Sequence, residues 1–217
     1  MRKKRRMSTD GPTLTIVLEQ AQFELVNVKR GGTMRTELLS SDPRTAEMNV
    51  RPELVHQTLL NLLDCPLCKS GHLKILIHTE SGVVISVSPS IRIPRTYGRF
   101  APLIVKVLEE GVLRTVVEGE EGETLMERLE GSIEQHMAGR RVVLEPNLSK
   151  LVEINQYVNH QLEAAADHTF IIGVSTAEEV ELAYHVDDFI TVSEYEVAAS
   201  YLATKVTTAF ERLYAIE

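Results

Sequence analysis

An α/β protein built on a parallel, two-sided sheet is what this sequence predicts, and three observations carry that reading. First, the second half alternates short apolar runs with helix-period stretches: Val142 to Leu144, then Leu148 to Ala166, Thr169 to Gly173, Phe189 to Val192 and Val197 to Tyr214. Parallel strands need a crossover of a dozen or more residues, usually helical, and this alternation supplies it. Second, Thr169-Phe170-Ile171-Ile172-Gly173 is apolar throughout and stops at a glycine, the pattern of a strand covered on both faces. Third, Leu14-Thr15-Ile16-Val17-Leu18 is short, β-branched and apolar, as a buried strand should be.

The remaining elements follow in order. Gly31 to Asp42 is rich in Gly, Ser, Thr and Asp and reads as loop. Pro52 stands where a helix opens, and Leu54, Val55, Thr58, Leu59, Leu62 and Leu63 recur at three- and four-residue steps, predicting a helix that ends near Asp64. Leu73 to Ile77 and Val83 to Val87 read as strands joined by the turn Glu80-Ser81-Gly82, and a second helix runs from about Phe100 to Glu110. Residues 111–150 are charged and interrupted by glycine, and Thr124 to Leu129 suits either strand or helix. The last helix carries Ala198, Tyr201, Leu202, Lys205, Val206, Ala209 and Leu213 at helical spacing. No internal repeat is visible.

At 217 residues the chain can bury a full core, and its 43% hydrophobic and 25% charged residues are those of a globular protein. No apolar stretch approaches the roughly 18–20 residues that span a bilayer, so no membrane is expected. Met1 to Arg6 is basic with no apolar run behind it, which reads as a disordered arm over residues 1–12, with Met7 as a candidate start. Net charge is -8, unevenly divided: residues 1–100 hold 15 Lys and Arg against 9 Asp and Glu, whereas residues 101–217 hold 8 against 22. A polyanion would meet the first half, and its affinity must come from local contacts.

The local contacts are concentrated in Arg92-Ile93-Pro94-Arg95-Thr96-Tyr97-Gly98-Arg99-Phe100. Guanidinium groups fit phosphate oxygens bidentately and stack on bases. Pro89, Pro94 and Gly98 interrupt regular structure, so the cluster reads either as a phosphate or RNA contact loop or as a solvated loop paired with nearby carboxylates. Cys65-Pro66-Leu67-Cys68 admits a redox pair or half a zinc site, with His72 close by. No second C-x-x-C or H-x-H completes four ligands, and the pair ends a helix, so two small turn residues are the expectation and no metal. The seven histidines are scattered, and His56 reads as an ordinary polar residue on a helix face. Asp64, ending an apolar helix before a Cys-Pro turn, is either a turn former or a carboxylate base aimed into a cleft. Gly173 to Thr176 and Ser193 to Glu196 follow strands where α/β ligands bind, but neither fits a phosphate-binding glycine pattern.

Taken in order, Arg51-Pro52-Glu53-Leu54-Val55-His56-Gln57, Leu62-Leu63-Asp64-x-Pro66 and Arg92-Ile93-Pro94-Arg95-Thr96-x-x-Arg99-Phe100 resemble the ribosome-biogenesis pseudouridine N1-methyltransferases. These belong to the SPOUT superfamily and include the nucleolar-essential-protein, or essential-for-mitotic-growth, type and archaeal relatives. The resemblance runs from about Thr13 to the end and includes Val192-Ser193-Glu194-Tyr195 and Lys205-x-x-x-Ala209-Phe210-Glu211. It implies one domain over residues 13–217: a SPOUT-type parallel sheet flanked by helices, with a small β-rich elaboration and a C-terminal trefoil knot at about 142–217. It implies a cytoplasmic homodimer that takes a methyl group from S-adenosylmethionine to N1 of a pseudouridine in small-subunit rRNA, with ribosome assembly proteins as further partners. By position, Gly173, Glu178, Val192, Ser193, Glu194, Tyr195, Glu196 and Val197 would bind the cofactor. Arg51, Arg92, Arg95 and Arg99, within residues 51–100, would hold RNA, with Glu53 orienting Arg51 and Asp64 as the base. The chain departs from the family at Glu178, where a second glycine is common, and at Glu194 to Val197, where Asn-Tyr-Pro-Leu is usual. Glu53 stands where many members carry Asp, and the positions of Cys65 and Cys68 are usually polar. The altered loop keeps a second reading open, an rRNA-binding assembly factor with weak or no catalysis. A metal or redox module on the cysteine pair is the third.

Overall fold

A computed structural model describes residues 11–39, 50–116, 122–145, 150–175, 180 and 182–216. Most of the expected basic arm, and Glu178 among the expected cofactor residues, lie outside the described residues. Strands from both halves of the chain join one eight-stranded sheet in the order β10-β8-β9-β1-β4-β5-β7-β6. These strands are β1 (Leu14–Ala21), β4 (Leu73–Thr79), β5 (Val84–Val87), β6 (Val112–Arg114), β7 (Thr124–Leu129), β8 (Arg140–Leu144), β9 (His168–Gly173) and β10 (Asp188–Ile190). Pairing is parallel from β10 through β8, β9 and β1 to β4. It is antiparallel across β5, β7 and β6, which form the β-rich elaboration at one edge. The expected α/β class therefore holds, and Thr124–Leu129 resolves as strand.

Burial explains the apolar runs. Leu14, Ile16 and Leu18 alternate with Val17 along β1, and all four are fully buried. Leu14, Ile16, Leu18, Ile75, Ile77, Phe170 and Ile172 pack in the larger core with α1 (Glu53–Asp64), α3 (Tyr97–Glu110), α4 (Ile154–Gln161) and α5 (Ala199–Leu213). Val17, Leu76, Val143 and Ile171 form a second core with Ile133 and Met137, flanked by Val180, Leu182, Tyr184 and Val186. A strand apolar on both faces needs cover on both, and here it has it.

Four expectations need correction. Residues read as loop from Gly31 are largely a hairpin, β2 (Leu25–Arg30) and β3 (Thr33–Leu38), in register from Leu25↔Leu38 to Arg30↔Thr33. Gly31 and Gly32 have φ of 57° and 85°, and two consecutive left-handed residues build the two-residue turn whose twist suits a hairpin. The glycine pair was thus a hairpin signal. The helix expected over 148–166 is confined to Ile154–Gln161. Glu153 stops it on the N-terminal side by accepting from Asn155 N and Gln156 N at 3.1 and 2.9 Å, while Leu151 leaves to bridge Thr191. The second expected helix begins at Tyr97, because Arg99 N and Phe100 N already reach the Thr96 carbonyl. Finally, the cysteine pair does not simply end a helix. Pro66 holds Cys65 extended at φ -73°, ψ 152°, which ends α1, and Cys65 then caps α2 (Pro66–Ser70).

Candidate functional site

The N-terminal half of α1 and the connection from β5 to α3 are packed as one unit. Pro52 opens α1, and the side chain of Glu53 in its first turn receives Nε–H of Arg51. Gln22 Oε1 accepts from Arg51 N at 3.1 Å, fixing the backbone beside this pair. Glu53 Oε2 is buried without a hydrogen-bond partner among the described residues. One turn further on, His56 is 4% exposed rather than an ordinary surface residue. Its Nε2–H donates to the Pro94 carbonyl at 2.7 Å, and its ring stacks on Phe100 with centroids 4.6 Å apart. His56 therefore ties α1 to the middle of the arginine loop. The spacing of His56 in the helix marked only its face; its partner lies 38 residues away.

Within that loop the apolar residues turn inward and the arginines outward. Ile91 and Phe100 are buried and Ile93 is half-buried, whereas Arg92, Arg95 and Arg99 are exposed. Among the described residues no carboxylate pairs with these three arginines, so they are not the locally neutralised loop that the sequence left open. A cleft of about 1080 Å³ opens beside them, lined by Asp64, Cys65 and Lys69, by Arg92 and Arg95, and by Thr204, Thr207 and Glu211 of α5. The structure thus brings Asp64, Arg92 and Arg95 together. Arg51 and Arg99 do not line this cleft: Arg51 precedes α1, whose other end lines it, and Arg99 lies in the first turn of α3. Asp64 is well exposed at the rim, where Lys69 Nζ approaches it to 3.2 Å.

Both cysteines are free thiols. Cys65 Sγ donates to the Leu62 carbonyl at 3.1 Å and accepts from Cys68 N at 3.4 Å. Burial pushes both thiols up, Cys68 to about 12, with the neighbouring Cys65 adding to the shift. Thiols so shifted are poor nucleophiles and poor metal ligands at neutral pH. Among the described residues no group of three or more His, Cys, Asp or Glu is arranged to hold a metal.

The expected cofactor residues sit elsewhere, at the carboxyl ends of β9 and β10. Gly173 closes β9, half-buried, and a Cβ there would come within 2.9 Å of Val180 Cγ2. Val192 is buried, Ser193 and Val197 are half-buried, and Glu194, Tyr195 and Glu196 are exposed. Ser193 Oγ accepts from Tyr195 N at 3.1 Å, and Lys205 Nζ donates to the Val192 carbonyl at 2.9 Å. Neither Gly173 nor residues 192–197 line the arginine cleft. The two regions are linked through α5, which carries Lys205 at the loop and Thr204, Thr207 and Glu211 at the cleft. Sequence reasoning missed Lys205 as an anchor, although its place at i+4 from Tyr201 on the last helix was visible.

Comparison with known proteins bears on both regions. The chain matches the EMG1/NEP1 methyltransferase family over residues 16–211. It is 30% identical over 214 residues to the ribosomal RNA small subunit methyltransferase NEP1 of Mus musculus, covering 95% of this chain and 84% of that protein. A Caenorhabditis elegans relative, ribosomal RNA small subunit methyltransferase nep-1, is 30% identical over 227 residues, covering 98% and 94%. An archaeal relative from Staphylothermus marinus, named Nep1, is 49% identical over 65 residues, 30% of this chain and 28% of its own. The crystal structure of Archaeoglobus fulgidus Nep1 bound to S-adenosylhomocysteine superimposes with a TM-score of 0.70 at 24% identity, covering 94% of this chain and 99% of that one, and shows the same fold.

Proposed function

From membership of the EMG1/NEP1 methyltransferase family, to which this chain belongs, we propose that it methylates N1 of a pseudouridine in small-subunit rRNA. It is an S-adenosylmethionine-dependent rRNA methyltransferase with the SPOUT-type α/β fold. The observation that carries the finer reading is the cleft lined by Asp64 together with Arg92 and Arg95, which have no carboxylate partner among the described residues, beside an α5 that also anchors the 192–197 loop.

The residues present suit a methyl donor. The ends of the adjacent strands β9 and β8, and of β10 beside β8, lie at one edge of the sheet, where ligands of such sheets bind. Gly173 ends β9 without a side chain, and Glu194 and Glu196 are exposed carboxylates of the 192–197 loop, of the sign that would favour a cationic sulfonium bound there. When bound, the donor supplies an electrophilic methyl group and leaves as S-adenosylhomocysteine. Pseudouridine N1 must lose its proton as its nitrogen lone pair forms the new bond to carbon. Asp64 is the proposed proton acceptor, and Arg92 and Arg95 hold the flanking phosphates so that the base enters in one register. Arg51, set by Glu53, and Arg99 extend that grip along the RNA. Proximity does much of the rest, since a methyl transfer needs the two reacting atoms aligned. The working unit in this reading is a homodimer whose C-terminal part is threaded as a knot; light scattering that gives the mass of one chain would refute the first point.

Small-subunit rRNA incubated with the protein and S-adenosylmethionine is expected to gain one methyl group on a pseudouridine, located by mass mapping. RNA binding without measurable donor binding at millimolar concentration would instead identify an assembly factor without catalysis.

A further inference from the structure

Among the described residues Glu19 is the one acid that the fold buries, at 3% exposure. A carboxylate is costly to bury unless both oxygens are satisfied. Here they are: His78 Nδ1–H donates to Oε1 and the Tyr184 hydroxyl to Oε2, each at 2.6 Å. Burial, and then the charge of Glu19, push the Tyr184 phenol up, which keeps it a neutral donor. The main chain takes part as well. The Glu19 carbonyl accepts from Val174 N at 2.9 Å, and beside it the side-chain Oε1 of Gln20, a residue at a φ of 60°, accepts from Ser175 Oγ at 3.1 Å.

These contacts converge on one connection. Glu19 stands opposite Gly173 in the β1–β9 register. Val174 and Ser175 are the first residues after Gly173, and Tyr184 lies four residues before β10 begins at Asp188. Glu19 and Gln20 therefore grip both ends of the passage from β9 to β10. None of Glu19, Gln20, His78, Val174, Ser175 and Tyr184 lines the arginine cleft.

We propose that Glu19 is a positioning residue for the methyl-donor site, clamping the start of the β9–β10 connection through its carbonyl and the end through Tyr184. The clamp holds the Gly173 strand end in the shape the donor requires. This rests on the reading that the donor binds at the end of β9. Binding energy is lost when a pocket must be ordered at the moment of binding, and a fixed connection avoids that loss.

The test measures S-adenosylmethionine affinity by calorimetry and RNA affinity by titration for wild type, Tyr184→Phe, Glu19→Gln and Glu19→Ala, with thermal unfolding as a control. Tyr184→Phe keeps the ring and deletes only the donor to Glu19. It is expected to weaken donor binding about tenfold, raising KM for the donor with little change in kcat at saturation, while RNA affinity holds within about twofold. Glu19→Gln retains an acceptor oxygen and should recover part of what Glu19→Ala loses. If Glu19→Ala fails to fold, Tyr184→Phe and Ser175→Ala carry the comparison. A wild type that binds the donor and a folded Tyr184→Phe that binds it equally well overturns the clamp alone. Donor and RNA affinities falling together also overturn it, since that marks a general loss of stability. A wild type that binds no donor overturns the functional reading, and the clamp with it.

Discussion

The arginine loop and the 192–197 loop perform the same topological task, leading from a strand into a helix, and they are built in opposite ways. From Ile91 to Phe100 the chain alternates inward apolar residues with outward arginines, and His56 grips the Pro94 carbonyl at its centre. The 192–197 loop buries only Val192 and exposes Glu194, Tyr195 and Glu196 in succession; Lys205 and Ser193 hold its first residues. A loop that must present several charges to a stiff polyanion gains from being fixed beforehand. A loop that closes on a small ligand can leave part of its ordering to the binding event, at some loss of affinity. The difference is one of anchoring: the first loop is held at its middle, the second at its root.

Removing the packing beneath the arginine loop should give the largest effect. Phe100 is fully buried and stacked on His56, so Phe100→Ala is expected to cost about 3–5 kcal/mol of stability, measured by urea unfolding. RNA affinity should fall more than donor affinity, because His56 loses the ring that holds it against Pro94. Equal losses for both ligands would break the contrast between the two loops.

Arg95→Ala tests the charge that the packing presents. RNA binding should weaken roughly tenfold, and the slope of its salt dependence should drop by about one phosphate contact. Donor affinity should stay where it was. An unchanged salt slope would remove Arg95 from the RNA surface.

Much of this contrast was legible in the sequence, and what was not has a physical reason. The arginine motif, the helix from Pro52 to Asp64 and the strand ending at Gly173 are local patterns, and local patterns survive in a linear reading. His56, Glu19 and Lys205 were opaque because their roles depend on partners brought close by folding: Pro94, Tyr184 and Val192 lie 38, 165 and 13 residues away. The β2–β3 hairpin was missed although its Gly31-Gly32 turn was in view, since β3 is mostly polar and faces solvent, and Val26 and Val28 give β2 only two alternating apolar positions. The short α4 was over-extended because Leu151 and Leu162 sit at helical spacing yet serve a bridge and an extended cap.

The smallest expected effect lies at the root of the second loop, and it fades only in acid. Asp188 opens β10, whose other end delivers Val192. Burial alone would raise its carboxyl. Hydrogen bonds from Lys150 at 2.6 and 2.7 Å and Tyr157 at 2.8 Å, the Lys150 charge and the Phe189 N–H outweigh that and hold it below its ordinary value. A carboxyl depressed on folding stabilises the native state above its unfolded pKa, near ~3.9, and that contribution is lost as pH falls through the folded value. The difference in melting temperature between wild type and Asp188→Asn should therefore be flat from pH 7 to about 5 and shrink below about 4. A gap that persists unchanged to pH ~3 would mean that shape rather than charge sets the role of Asp188. In that case the second loop would be held at its root by packing, as the first is at its middle, and the contrast in anchoring would narrow to one of position.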